Sequence, residues 1–376
     1  MIEAATDPAE RLARLRLIRS ENVGPTTWGR LLGRFGTARA ALDALPDLAA
    51  RAGRKRLRIA TPSEAEREWA LLDRLGGHWL IAGDADYPAR LAATEDAPPV
   101  IAVIGDVARL SAPSLAVVGA RNASSNGRTL CRRLCQQVGA AGFTIVSGLA
   151  RGIDAEAHRA SLATGTVGVV AGGVDVVYPP ENAELQRLIG EQGAVVAESA
   201  MGAQPMARHF PRRNRVIAGL SLGVLVVEAA LRSGSLITAR MANDYGRDVF
   251  AVPGSPLDPR ARGANRLIRE GARLVEDADD ILDDLAPALA RPRGAAEAAA
   301  ILLPAPAPVS FDDADRARDL LLEALAVEPT DADSLIRATG LDSAAFAAGM
   351  LELELAGLVE RHAGNRYALS AGDSGH

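Results

Sequence analysis

The stretch that decides the fold is LAVVGARNASSNGRTLCRRLCQQVGAAGFTIVSG, residues 115–148. It begins and ends with short apolar runs rich in β-branched residues, and a segment of helical length lies between them. Two such runs joined by a helix predict a parallel β-α-β unit, because parallel strands need a long crossover connection. We therefore expect a parallel sheet at the centre of the chain.

The same alternation continues towards the C-terminus. Further apolar runs, separated by helix-sized intervals, are TVGVVAGG from Thr166, AVVAES from Ala194, GVLVVEA from Gly223 and DVFAVPG from Asp248. Strands that are apolar throughout are typical of a sheet covered by helices on both faces. The pattern predicts an α/β domain with a doubly wound parallel sheet over residues 84–286.

Smaller domains flank this sheet. Residues 1–83 carry helical apolar stripes on both sides of a Gly-Pro turn, as in a SAM-like or helix-hairpin-helix domain. The amides that follow Gly24 would then face phosphate, and a plain helical hairpin is the alternative. Residues 287–310 are rich in Pro and Ala and predict a linker. Residues 311–370 read as three helices and a two-stranded tail, the outline of a winged helix.

Charge is unevenly distributed along a chain whose formal net charge is −5. Residues 312–376 hold 5 arginines and 13 acids, a net charge of −8, so residues 1–311 carry −5 − (−8) = +3. Lys55 is the only lysine, and guanidinium groups therefore supply nearly all the positive charge. Residues 199–227 contain no acid but four arginines, at positions 208, 212, 213 and 215. This segment is a local electropositive region.

Residues that follow the predicted strands are the candidate ligand contacts, because ligands of open parallel sheets bind beyond the carboxyl ends of the strands. Small residues there let backbone amides approach an anion, and arginines neutralise it. The candidates of this kind are Arg121, Ser147, Gly148, Arg151, Gly234 and Ser235. In HFPRRN, residues 209–214, Phe210 adds a ring on which a base can stack beside Arg212 and Arg213. The alternative is that Phe210 only staples the start of a helix.

Several other classes of site are disfavoured. The first strand-turn-helix lacks the GxGxxG of dinucleotide-binding proteins, and no GxxxxGK[ST] phosphate loop occurs. Ser147, His158 and Asp154 could be drawn as a catalytic triad, but Asp154 and His158 are better explained as a helix cap and a helix-surface pair. The scattered histidines indicate no metal site, and we expect no cofactor. No signal peptide or membrane span is predicted, which favours the cytoplasm.

Six motifs, taken in order, carry a family resemblance: VVGARNASSNG, SGLARGIDAEAH, GGVDVVYPPEN, HFPRRNRVIAGLS, VVEAALRSGSLITA and VFAVPGSP. They resemble the DprA/Smf DNA-processing family. The resemblance implies an extended Rossmann-like domain that binds single-stranded DNA without catalysis. It also implies a homodimer that protects incoming strands in natural transformation. Such a protein helps a RecA-type recombinase to displace single-strand-binding protein.

The resemblance also assigns the strand-binding role to particular residues. These are Arg121, Ser147, Gly148, Phe210, Arg212, Arg213, Asn214 and Arg215. Many members of the family have lysines around this pocket, whereas this chain has only arginines there.

Two alternative functions stay open. A nucleotide-cleaving enzyme of the Lonely Guy phosphoribohydrolase type would use a related fold, but its catalytic glutamate follows the phosphate loop, and here Glu228 precedes it. A duplex-reading regulator would use the winged helix. Its candidate recognition helix, DSAAFAAGMLELELAG, has three acids and no basic residue, so we expect it to repel phosphates. A protein contact, or a fold-back against the basic middle domain, is favoured for that helix.

Overall fold

The structure, a computed structural model, describes residues 4–51, 57–289, 311–362 and 364–370. They form two compact units: residues 68–289, and the described residues before 68 together with those from 311 on. The helices are α1 Pro8–Arg19, α2 Pro25–Phe35, α3 Ala38–Arg51, α4 Pro62–Arg74, α5 Ala89–Ala92, α6 Ser125–Ala140, α7 Ile153–Ser161, α8 Ala183–Gln192, α9 His209–Leu220, α10 Ser235–Asp244, α11 Arg262–Arg269, α12 Asp279–Leu289, α13 Phe311–Ala324, α14 Ala332–Thr339 and α15 Ser343–Leu355. None of the described helices is long and apolar enough to cross a membrane.

The strands form one large sheet in residues 68–289 and a small one near the C-terminus. They are β1 His78–Ile81, β2 Val100–Gly105, β3 Ser114–Val118, β4 Thr144–Ser147, β5 Thr166–Val170, β6 Ala194–Ala197, β7 Gly223–Val226, β8 Asp248–Ala251, β9 Arg273–Leu274, β10 Thr330–Asp331, β11 Val359–His362 and β12 Arg366–Leu369. The order in the large sheet is β1-β2-β6-β5-β4-β3-β7-β8-β9, and the pairs from β6 to β9 are parallel. The doubly wound parallel fold is confirmed, with the six predicted strands as β3 to β8.

The edge formed by β1 and β2 differs from the expectation. β1 pairs antiparallel with β2, and β2 pairs antiparallel with β6. The sheet therefore begins at His78, ahead of the expected domain boundary at residue 84. Of the predicted linker, residues 287–289 are the end of α12, and the remainder lies outside the described residues.

Alternation along β3 explains why both faces of the sheet are covered. Leu115 and Val117 point to one core, where they pack with side chains of α6, α7 and α12. Ala116 and Val118 point to the other core, which contains side chains of α9, α10 and α11. Successive side chains of a strand point to opposite faces, so an apolar strand needs helices on both sides.

The second unit combines the N-terminal helices with the winged helix. Pro25 starts α2 directly after Gly24, a position where the missing N–H of proline costs no helical hydrogen bond. The helices α13, α14 and α15 share a core with β11 and β12, and β10 adds a third strand to this sheet. The predicted helical and winged-helix domains are both confirmed.

The prediction that the recognition helix α15 presents an acidic surface is wrong for its two glutamates, because both are buried. Glu352 and Glu354 are 0% and 9% exposed. The carboxylate of Glu354 accepts a hydrogen bond from Thr27 at 3.0 Å and forms an ion pair with Arg30 at 3.3 Å, both on α2. Within this unit the recognition helix is therefore packed against the N-terminal helices.

Candidate nucleic-acid interface

The carboxyl ends of β3, β4, β5 and β7 meet at one edge of the large sheet, because these strands are parallel. The chain runs outwards from β3 to β6 on one side and from β7 to β9 on the other. Such a reversal opens a crevice at the strand ends, where ligands of doubly wound sheets bind. Helix α9, which packs against β3, β4 and β5, brings HFPRRN to this sheet.

Phe210 is the centre of the candidate interface. Its half-buried ring lies under two guanidinium groups, with the central carbon of Arg121 5.4 Å and that of Arg213 6.0 Å from the ring centroid. Both distances lie within the range of a cation–π contact. Arg121 is exposed and follows β3, whereas Arg213 is 7% exposed and lies on α9. Residues from distant parts of the sequence therefore place two cations on one ring.

The buried charge of Arg213 is only partly compensated. Its Nη1 lies 3.9 Å from Oδ2 of Asp154, and its Nε has no hydrogen-bond partner among the described residues. Burial lowers the pKa of Arg213, the Asp154 carboxyl opposes this shift, and Arg121 adds to it. Burial also raises the pKa of Asp154, although Arg213 partly offsets this effect. An incoming anion would give this guanidinium a second partner.

The two small residues that follow β4 have different roles. Gly148 makes room for Arg213, because a Cβ at residue 148 would lie 1.1 Å from Nη1 of Arg213. Ser147 is fully buried, and its hydroxyl donates a hydrogen bond to the carbonyl of Val117 on β3. The side chain of Ser147 therefore joins two strands and does not face a ligand.

Asp154 and His158 are buried, so their assignment to a helix surface is wrong. Asp154 Oδ2 accepts hydrogen bonds from the amides of Gly148 and Ala150, and His158 Nδ1 lies 2.7 Å from the Thr166 hydroxyl. Burial lowers the pKa of His158 to about 3, so the imidazole is neutral near pH 7. These contacts hold the turn after β4. Among the described residues, no group of three or more His, Cys, Asp or Glu side chains could hold a metal ion.

Two of the candidate arginines are engaged by acids. Arg215 is 6% exposed and forms ion pairs with Glu198 and Asp96. Burial lowers its pKa, but the two carboxylates outweigh that effect and raise the pKa overall. Arg151 is exposed and pairs with Glu181. We therefore leave Arg215 out of the proposed strand contacts, because its charge is neutralised inside the fold.

The remaining candidates line the region between α9 and α10. Arg212 is exposed, and within the described part of the chain its guanidinium has no ion pair or hydrogen bond. Asn214 donates to the carbonyl of Gly234 at 3.4 Å, and the Ser235 hydroxyl donates to the carbonyl of Gly119 at 3.0 Å. Ser235 thus ties the loop after β7 to the end of β3, and Gly234 is exposed beside it.

Tyr178 is a neighbour of Phe210 that is not among the site residues predicted from the sequence. Its ring centroid lies 5.9 Å from that of Phe210, with 57° between the ring planes. The residue belongs to the YPPEN segment in the connection that follows β5, which is itself a strand-end signal. The rule that ligands bind beyond the carboxyl ends of parallel strands therefore points to Tyr178 as well.

Glu228 explains why the usual phosphate position of the fold is closed. Its carboxylate accepts hydrogen bonds from the amide, at 3.0 Å, and from the hydroxyl of Ser124, the N-cap residue of α6. Gly127 leaves space for it, since a Cβ there would lie 2.6 Å from the carboxyl carbon. The first helix after the first parallel strand is where Rossmann folds bind pyrophosphate. Here a carboxylate of the chain occupies that helix end.

Family models match nearly the whole described chain. They are DNA recombination-mediator protein A over residues 78–286, a DprA-like N-terminal HHH domain over residues 8–70 and a DprA winged helix domain over residues 304–365. Protein Smf of Synechocystis sp. is 34% identical over 318 residues, which cover 77% of this chain and 79% of that protein. DNA processing protein DprA of Streptococcus pneumoniae is 46% identical over 201 residues, which cover 53% of this chain and 71% of the relative.

Solved structures agree with these matches. The X-ray structure of DNA processing protein A from Streptococcus pneumoniae has a TM-score of 0.60 and 34% identity, and the match covers 75% of this chain and 99% of that one. A structure of DNA processing protein A from Helicobacter pylori, described for its single-stranded DNA binding mode, has a TM-score of 0.52 and 26% identity. That match covers 56% of this chain and 96% of the other. With three domain models in the same order and a relative covered over most of its length, the chain belongs to the DprA/Smf family of DNA-processing proteins.

Proposed function

We propose that this chain is a recombination mediator that binds single-stranded DNA at the crevice around Arg121, Phe210, Arg212 and Arg213. The observation that carries this proposal is the pair of guanidiniums over the Phe210 ring, one exposed and one buried. Cations beside an aromatic ring are what a sequence-tolerant single-strand site requires.

The electrostatics favour a polyanion at this edge. Residues 199–227 contain no acid, and Arg212 is exposed without a counterion among the described residues. Among the described residues Arg213 pairs with one carboxylate, that of Asp154 at 3.9 Å, so a phosphate oxygen would add to the compensation of its charge. Contacts of this kind read the backbone and not the base sequence, and they weaken as salt rises.

The family supports a more specific role. Members include DNA processing protein DprA of Streptococcus pneumoniae, and the Helicobacter pylori relative is described as binding single-stranded DNA. We extend this to protection of incoming DNA in natural transformation in the cytoplasm. The same proposal includes a homodimer, loading of a RecA-type recombinase and displacement of single-strand-binding protein.

We expect no catalysis from this chain. The Lonely Guy alternative needs a glutamate free to act after a phosphate loop, but the Glu228 carboxylate is held by Ser124 at the start of α6. Incubation with nucleoside monophosphates tests the point directly. Catalytic release of the free base would establish the enzyme and contradict this part of the proposal.

Equilibrium binding of one oligothymidine and one duplex of equal length tests the proposed function. We expect tighter binding to the single strand, and weaker binding of that strand by Arg121→Ala and Arg212→Ala. Arg187→Ala is the matched control, because Arg187 is an exposed arginine held by Glu184 and Glu191 on α8. Equal affinity for the two DNA forms, or an equal loss in all three variants, would contradict the proposal.

A further inference from the structure

We propose that Tyr178 provides the face on which a DNA base stacks, whereas Phe210 is the scaffold that holds the two arginines. The inference rests on the proposed single-strand binding and adds a base contact to it. In this arrangement the arginines contact the phosphates of the strand, and the ring of Tyr178 stacks on a base.

Exposure separates the two rings. Tyr178 is 46% exposed, and among the described Phe, Trp and Tyr residues it alone has an exposed side chain. Phe210 is half-buried at the start of α9. Tyr178 contacts Phe210 but leaves much of its own ring open to a ligand.

The ring of Phe210 already contacts two cations. Guanidinium carbons of Arg121 and Arg213 lie over it at 5.4 and 6.0 Å. A base that stacked on the face they cover would have to displace a cation from the ring, and with it a candidate phosphate contact. Tyr178 meets the edge of this cluster at 5.9 Å, so a strand whose phosphates contact the arginines passes next to its ring.

Tyrosine suits such a position. Its ring offers an apolar face for a base, and its hydroxyl can stay in water at the rim of the site. Base–aromatic stacking contributes enough to affinity that loss of one ring weakens binding roughly tenfold. Because a stacked ring carries no charge, its loss leaves the salt dependence of binding unchanged.

Strands that lack bases distinguish stacking from phosphate contact. We compare oligothymidine with an abasic strand of the same length, for the wild type, Tyr178→Ala and Tyr178→Phe. Tyr178→Ala is expected to bind oligothymidine roughly tenfold more weakly, to bind the abasic strand as the wild type does, and to keep the same salt slope. Tyr178→Phe is expected to retain wild-type affinity for both strands.

The matched control is Val177→Ala, which trims the neighbouring side chain, itself 40% exposed. We expect it to leave both affinities unchanged, and circular dichroism confirms that each variant is folded.

No loss of affinity for oligothymidine in Tyr178→Ala, or the same loss for both strands, would overturn the assignment of Tyr178 as the stacking residue. If Arg121→Ala weakens binding but Tyr178→Ala does not, only the platform is wrong. If the wild type does not bind single-stranded DNA, both the proposed function and the role of Tyr178 are contradicted.

Discussion

The backbone of Gly148 lies directly against the guanidinium of Arg213. A Cβ at residue 148 would fall 1.1 Å from Nη1 and 2.3 Å from the central guanidinium carbon of Arg213. A glycine at the end of β4 is thus required for the side chain from α9 to lie across it. This contact joins the SG and HFPRRN motifs, which are far apart in the sequence, into one site.

Gly148→Ala is therefore expected to displace Arg213 and to weaken binding to oligothymidine without unfolding the protein. The added methyl group overpacks a buried site, which costs typically 1–3 kcal/mol of unfolding free energy. Binding titrations and urea unfolding measure the two effects. Gly33→Ala, at an exposed helical glycine where the new Cβ has no described atom within 4 Å apart from the chain neighbours and the backbone of its own helix, is the control and should leave binding unchanged. Undiminished affinity in Gly148→Ala would show that the position of Arg213 does not matter.

Arg215→Ala should lower the free energy of unfolding, because it removes the partner of a half-buried carboxylate. Arg215 pairs with Glu198, whose side chain is 19% exposed, and loss of one member of a buried pair costs about 3 kcal/mol or more. Urea unfolding measures the loss. Arg212→Ala, three residues earlier on α9, should leave the unfolding free energy within about 0.5 kcal/mol of wild type. Equal stability of the two variants would contradict the assigned roles.

Removal of the Glu228 carboxylate should destabilise the start of α6. Hydrogen bonds to a charged group contribute about 1.5–3 kcal/mol, so we expect Glu228→Ala to lose free energy of unfolding in this range. Glu228→Gln should lose less, because its amide oxygen can still accept a hydrogen bond from Ser124. Hydrogen exchange of the α6 amides would localise the effect. A variant Glu228→Ala as stable as wild type would show that the carboxylate does not support this helix end.

The contact between Arg30 and Glu354 should hold the winged helix against the N-terminal helices. Arg30→Ala leaves the buried carboxylate of Glu354 without its ion pair, at a cost of about 3 kcal/mol. Faster hydrogen exchange in α2 and α15, with unchanged exchange in β3, is the expected result. Arg58→Ala, which breaks the exposed pair with Glu64, is the control. If exchange in α15 does not change, the pair is not what holds the two domains together.

Buried His158 should make the folded state sensitive to mild acid. Burial lowers its pKa from 6.5 to about 3. Between these values the unfolded chain binds a proton that the folded chain does not, so this contribution to stability is complete above pH 6.5 and is lost as the pH falls. The loss is about 1.4 kcal/mol per pH unit. Urea unfolding at pH 7 and pH 5 should give a smaller pH effect for His158→Gln than for wild type, and equal effects would refute the assignment.

The central sheet could be predicted because its strands are short β-branched runs at regular intervals. β3 to β8 carry this signal, and the strand-end rule located Arg121 and Gly148. β1, HWLI, pairs antiparallel with β2, VIAVIG, which is antiparallel on both sides, so the β-α-β pattern did not include them.

The roles within HFPRRN could not be predicted, because they depend on tertiary partners. Arg213 and Arg215 are two residues apart on one helix, and both are buried. Asp154 after β4 meets the first, and Glu198 after β6 neutralises the second. The burial of Glu354 likewise depends on α2, which lies more than 300 residues earlier in the chain.

The most direct test of the account is the salt dependence of oligothymidine binding by wild type and Arg121→Ala. If Arg121 contacts a phosphate, the variant binds more weakly and the slope of log affinity against log salt is shallower by about 0.7, the value for one contact with a single strand. The Arg187→Ala control should match wild type in both measurements. An unchanged affinity and slope in Arg121→Ala would contradict the claim that the strand binds at the crevice around Phe210.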